Sequence, residues 1–167
     1  MAKSAVEKVR DRNKAHKIVD RLPDGIPWAP NGARMVVSTP WEIYAIISEI
    51  PKGNILTISV IREYLAKKYG TDIACPVSTG MFINMSALAS EELRDQGENF
   101  APYWRVLRAD GSLNPKYPEG TAAQEIALEA EGFTFKKLRK TIFVEHYEDY
   151  LWDIVSELLH KAKISGI

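Results

Sequence analysis

Proline and glycine cut this 167-residue chain into short pieces. Pro23, Gly25, Pro27, Pro30 and Gly32 crowd one stretch. Pro51 and Gly53 close a second, and Pro115, Pro118 and Gly120 mark a third. Such residues break helices and strand ladders, so only short elements joined by turns can form between them.

The pieces differ in kind. Thr39-Pro40-Trp41-Glu42 reads as a helix start, with Thr39 as cap, Pro40 in the first turn and Glu42 completing a capping box. Ile43, Ile46, Ile47 and Ile50 then form one apolar stripe. A second helix turns Ile61, Tyr64 and Leu65 inward and stops at Gly70. Pro76 opens a third, whose inward stripe is Val77, Met81, Met85 and Leu88. Its opposite face, Thr79, Phe82, Ile83, Ser86 and Ser90, is almost uncharged, which suits either a partner or a helix buried on two sides.

Strand signals come later. Trp104 to Leu107 runs into an Asp110-Gly111 turn, and residues 114–120 form a loop. A fourth helix near 121–131 points Ala123, Ile126, Ala127 and Ala130 inward and ends at Gly132. Phe133 to Leu138 and Thr141 to His146 form a hairpin about Arg139-Lys140. A last helix starts near Tyr147, with Tyr150, Leu151, Ile154, Val155 and Leu158 on its stripe. Three short helices followed by strands predict a small α+β domain of winged-helix type, whose third helix enters a DNA groove.

The chain divides into a basic arm and loop (1–33), the winged-helix domain (34–146) and a C-terminal amphipathic helix (147–167). The arm reads equally as a weak helix or a mobile segment, and Ile26 and Trp28 anchor its loop. Formal net charge is zero, but charge is segregated. Residues 1–75 and 136–144 each carry net +4, while 119–135 carry net −4. A neutral chain can still present a basic face. One cysteine, Cys75, excludes an intramolecular disulfide framework and favours a reducing, cytoplasmic compartment, at the nucleoid if DNA is bound. No apolar run approaches the ~18 residues of a membrane span, and the basic N-terminus lacks the apolar core of a signal peptide. His16, His146 and His160 lack metal-ligand spacing, so neither zinc nor another cofactor is expected.

Residues 102–113, Pro-Tyr-Trp-Arg-Val-Leu-Arg-Ala-Asp-Gly-Ser-Leu, resemble the active-site run Pro-Cys-His-Arg-Val of O6-alkylguanine-DNA alkyltransferases and their turn. Thr39-Pro40-Trp41 to Ile50-Pro51-Lys52-Gly53 is similar to the family's first helix and its exit. Leu128-Glu129-Ala130-Glu131-Gly132 is similar to its closing helix. The resemblance spans about residues 40–132 and is nearer to the alkyltransferase-like proteins, which lack the reactive cysteine. Tyr103 stands at the nucleophile's position and Trp104 at the histidine's. Only the carboxylate is retained, as Glu131. Alkyl transfer needs an activated thiolate, and a phenol with a pKa near 10 replaces it poorly. Cys75, some 28 positions earlier, reads as a small buried hydrophobe.

The resemblance therefore implies a non-enzymatic protein that binds double-stranded DNA and recognises alkylated guanine without transferring the alkyl group. Pro102, Tyr103, Trp104, Arg105 and Glu131 are its base-pocket candidates, with Arg105 mainly structural. Ser78, Thr79, Gly80, Arg108, Lys136, Lys137, Arg139 and Lys140 are DNA-binding candidates, with Lys116 a further phosphate contact. The family's flipping arginine has no counterpart in Cys75 to Gly80, and Ile58 replaces its helix-opening tyrosine. Those losses favour an alternative: a protein-interaction or scaffold domain, homodimeric or with another partner, that no longer binds lesions. A surviving transferase would need a nucleophile that the sequence does not offer.

Overall fold

The computed structural model describes residues 2–159. The chain runs through α1 (Ala5–Arg10), β1 (Lys17–Val19), β2 (Met35–Val37), α2 (Pro40–Ser48), β3 (Leu56–Thr57), α3 (Ile58–Tyr69), β4 (Ile73–Ala74) and α4 (Pro76–Asp95). A 3-10 turn (Tyr103–Arg105), β5 (Val106–Leu107), α5 (Gly120–Glu129), β6 (Phe135–Leu138) and β7 (Thr141–Val144) follow. This is the α+β, winged-helix-like order expected, with the β6–β7 hairpin as the wing.

Local chemistry fixes the early helices. The Thr39 hydroxyl accepts from the Glu42 amide at 3.2 Å and caps α2. Glu42 does not complete the capping box. Its carboxylate is 4% exposed and takes donors from Ser38 at 2.6 Å, from the Tyr69 hydroxyl at 2.7 Å and from Lys68. A buried carboxylate needs several donors, and α3 supplies more than a cap amide could. α3 ends at Gly70 in the left-handed region (φ 64°), with Ile61, Tyr64 and Leu65 buried as expected. Ile43, Ile46, Ile47 and Ile50 of the first stripe all join the core.

Three small sheets hold the rest. β2 lies between antiparallel β1 and parallel β4, β3 pairs parallel with β5, and β6 pairs antiparallel with β7. The arm is drawn into this framework. Ala5, Val6 and Val9 of α1 are buried against Ala89 and Leu93 of α4. The Glu92 carboxylate also accepts from the Val6 amide at 3.1 Å. In the following loop Ile26 packs on Leu22, Ala33 and Met35, but Trp28 is 42% exposed and does not join that cluster.

Three helix expectations are corrected. In α4 three of the four residues expected to face inward face out: Val77 is 59% exposed, Met81 57% and Leu88 48%, while Met85 is half-buried against the α1 contact. The buried side carries Thr79, Ile83, Ser86, Ala87, Ala89 and Ser90. These mostly small residues let α1 and α2 approach. The Ser86 and Ser90 hydroxyls are satisfied within the helix, donating to the carbonyls of Phe82 and Ser86, each at 2.8 Å. In α5 the buried residues are Gln124 and Leu128, while Ile126 is 69% exposed. The Gln124 amide donates to the carbonyls of Trp104 and Val106 at 3.0 and 3.2 Å, a task no alanine could perform. Finally, Tyr147 opens a 3-10 turn (Tyr147–Tyr150) instead of a continuous helix. The chain then runs beside Ile55, whose amide donates to Tyr150 and whose carbonyl accepts from Trp152. That pairing buries Trp152 and Ile154 before a single π turn at Val155–Leu159. The remainder of the expected helix, with His160, lies outside the described residues.

Candidate nucleic-acid interface

Glu131, just past α5, gathers the 102–105 motif. Its two oxygens accept from Arg105 Nε at 3.0 Å each, from Trp104 Nε1 at 2.7 Å and from the Gly53 amide at 2.9 Å. Arg105 reaches on to the Ile50 carbonyl at 2.7 Å. One ion pair thus ties the exit of α2, the 3-10 turn and the exit of α5 together. The Arg105 and Glu131 side chains are only 13% and 6% exposed. Three N–H donors, one of them shared by both oxygens, hold this carboxylate in a structural role.

Tyr103 lies on the inner side of that turn and is 4% exposed. Its hydroxyl donates to Glu91 at 2.6 Å. Its ring meets Tyr117 and Trp104 edge-on, with centroids 5.0 and 5.7 Å apart. Burial, and then the Glu91 hydrogen bond, push the phenol well above its ordinary value. It is therefore a neutral donor near pH 7 and a poor nucleophile. Trp104 is half-buried, with the Arg94 and Arg105 guanidinium groups each 5.7 Å from its ring.

A cavity of about 290 Å³ opens between α4, β5 and the 114–117 loop. Gly80, Ile83 and Asn84 come from α4, Val106 and Leu107 from β5, and Ile58 from the start of α3. Arg108 and Lys116 bring positive charge, and Asn114, Pro115 and Tyr117 complete the wall. The loop is pinned. The Tyr117 hydroxyl donates to the Val106 carbonyl at 2.8 Å, and the Asn114 amide donates to Gln124 at 2.8 Å. The Asn114 side chain donates to Asn84 Oδ1 at 3.0 Å and so bridges to α4. Arg108 Nε is held by Ser112 Oγ at 2.8 Å. Ser112 also donates twice to Asp110. Burial alone would raise the Asp110 carboxyl, but these bonds hold it below the usual range.

The structure brings only part of the sequence's candidate set to this cavity. Gly80 and Arg108 line it. Pro102, Tyr103, Trp104, Arg105 and Glu131 do not, and Tyr103 stands behind Tyr117. Thr79 is 1% exposed and spends its hydroxyl on the Cys75 carbonyl at 2.6 Å, so it presents no surface for DNA. Ser78 Oγ is buried without a hydrogen-bond partner among the described residues. Cys75 is half-buried at the α4 cap, where its sulfur accepts from the Ser78 amide at 3.5 Å. Lys136, Lys137, Arg139 and Lys140 are exposed on the wing, with Arg139 in a left-handed conformation (φ 56°) at its tip. Sequence reasoning missed Asn84, Asn114, Tyr117 and Gln124. The last gave a faint signal as a lone amide on an apolar helix.

No family model matches the chain, and no curated protein does. Two solved structures are similar to it: S. pombe Atl1 in complex with damaged DNA containing O6-carboxymethylguanine, and S. pombe ATL in complex with DNA. Each is 22% identical, with a TM-score of 0.48, and the match covers 68% of this chain and 94% of the other. Among the described residues, no helix is long and apolar enough to cross a membrane.

Proposed function

We propose that this chain is a non-catalytic, DNA-binding protein of alkyltransferase-like type. It holds an extruded guanine carrying an O6-alkyl group in the cavity between α4 and β5. The observation that carries this is the cavity itself. It lies next to the 102–105 motif, is edged by Arg108 and Lys116, and is walled by a loop that Tyr117 and Gln124 fix in place. Its volume of about 290 Å³ falls at the small end of the ~300–1,000 Å³ range of ligand sites, in keeping with one base. Alkyl transfer has no support. The nucleophile's place is a buried, protonated phenol, an indole that can only donate stands where the base would be, and the carboxylate is already held by three N–H donors.

Extrusion needs something to fill the vacated stack. Val77 and Met81 project from α4 beside Gly80, more than half exposed. Apolar side chains can wedge between base steps and offset unstacking, which costs a few kcal/mol. Met81 takes that role here.

The test is titration of duplexes with and without O6-methylguanine at two salt concentrations, with 2-aminopurine beside the lesion to report unstacking. Tighter, salt-sensitive binding of the lesion duplex with a fluorescence rise is expected. Met81→Ala should keep most of the affinity and lose most of the rise. Equal affinity for both duplexes removes lesion recognition, and no binding at low salt sinks the proposal.

The same exposed stripe, Val77, Met81 and Leu88, favours a second reading as a protein-interaction domain. Concentration-dependent self-association that Leu88→Glu abolishes, in a chain indifferent to DNA, would select it.

A further inference from the structure

A groove of about 500 Å³ runs between α1, the middle of α4 and the 116–118 loop. It shares two residues, Asn84 and Lys116, with the wall of the cavity, so the two depressions adjoin. Met85, Leu88 and Pro118 make its lining largely apolar. Lys3 and Lys8 stand on α1 and the turn before it, and Lys116 on the loop. One acidic side chain, Glu92, also lines it, but Glu92 is engaged by the Val6 amide at 3.1 Å. Lys3 is shared with Asp11 at 3.0 Å, whereas Lys8 makes no ion pair among the described residues. The packing of Ala5, Val6 and Val9 on α4 fixes where these cations stand.

From this geometry we infer that the groove carries the backbone of the DNA strand flanking the cavity, so that α1 is a second phosphate-contacting element. The inference rests on the DNA-binding role proposed for the cavity. It adds an interaction surface on a segment outside the alkyltransferase resemblance. The chemistry of the occupant follows from the lining. Cations along the groove suit a polyanion, and an apolar floor between them suits the sugar faces of a strand. Adjacency to the cavity decides between strand and peptide. A strand whose base enters the cavity can run on past Asn84 and Lys116, which line both depressions, into this groove. The contact reads no base, so it adds equally to damaged and undamaged duplexes.

The experiment measures affinity of the full chain for both duplexes across a salt series. It compares wild type, Lys8→Gln, Lys3→Gln/Lys8→Gln, Lys116→Gln and, as an equal charge loss elsewhere, Lys67→Gln on α3. All these side chains are at the surface, so folding is checked simply by matching thermal melts. The slope of log affinity against log salt should fall by about 0.9 for each phosphate contact removed, thus about 1.8 in the double variant. The lesion preference should stay constant, and Lys67→Gln should match wild type. An unchanged slope in the double variant, with Lys116→Gln still lowering it, overturns the α1 contact and leaves DNA binding standing. An equal fall in Lys67→Gln overturns it too, since the effect would then be one of net charge. Wild-type chain that binds neither duplex fails both proposals at once.

Discussion

Glu131 receives hydrogen bonds from three residues in two other segments, and its partner Arg105 is nearly as buried as it is. Replacing both members of such a pair is often tolerated, but removing one strands a charge in a poor solvent. Glu131→Ala should therefore lose about 3–5 kcal/mol, read as a lower urea midpoint. Trp104→Phe removes one of three donors to the charged carboxylate and should lose less, about 1.5–3 kcal/mol. If the two losses are similar, the carboxylate is not the node that its geometry indicates. The motif at 102–105 was legible in the sequence, as was the structural task of Arg105, because side-chain types and order carry that information. What was not legible is that Tyr103 turns away from the cavity. The 3-10 turn and the acceptor at Glu91 decide that, and Glu91 belongs to another element.

Among the elements, those with a chemical signal at their ends were readable. Thr39 and Gly70 bound α2 and α3 through specific hydrogen bonds and a left-handed φ. The wing follows from two strand-like runs about a basic turn. The sequence pattern of α4 points the wrong way for three residues, because large apolar side chains there do not seek the core. Beside Ile83 and Leu93, its buried face is mostly small residues, and the hydroxyls of Thr79, Ser86 and Ser90 bond to backbone carbonyls four residues back, which allows close helix contacts. This inversion can be measured. Ala89, fully buried against α1, should not accept a larger side chain. Ala89→Leu should lose about 1–3 kcal/mol through overpacking. Leu88→Ala, one position earlier and 48% exposed, should stay within about 0.5 kcal/mol of wild type. Thermal melts of the two variants read the difference, and the opposite ranking would restore the sequence-based orientation. Residue 147 onward misled for a related reason. The amphipathic pattern is real, but the open backbone at Ile55 captures the chain first.

Over the whole molecule, two buried phenols, Tyr103 and Tyr117, and the half-buried Tyr69 tie elements together and have their pKa raised in common. Tyr69 donates to Glu42 and joins α3 to α2. Tyr103 donates to Glu91 and joins the 3-10 turn to α4. Tyr117 donates to Val106 and closes the cavity loop on β5. Burial is the leading cause in each, reinforced by the neighbouring carboxylate for Tyr69 and Tyr103. A group whose folded pKa lies above its unfolded value stabilises the fold fully below the unfolded value, about 10 for tyrosine. That contribution is lost as pH rises beyond it, because the unfolded chain releases protons that the folded chain retains. The protein should hold its stability up to about pH 10 and then lose it steeply, since three groups act in the same direction. Absorbance at 295 nm, followed with far-ultraviolet circular dichroism, separates the two classes of phenol. The more accessible tyrosines should ionise first, and a second rise should coincide with loss of helix signal. Tyr103→Phe should leave alkaline unfolding in place but make it shallower, with one fewer proton released. A single ionisation of all the tyrosines centred at about pH 10, with the helix signal intact, would mean that these rings are not held in the core as described. The cavity wall would then be mobile, with no fixed place for a base.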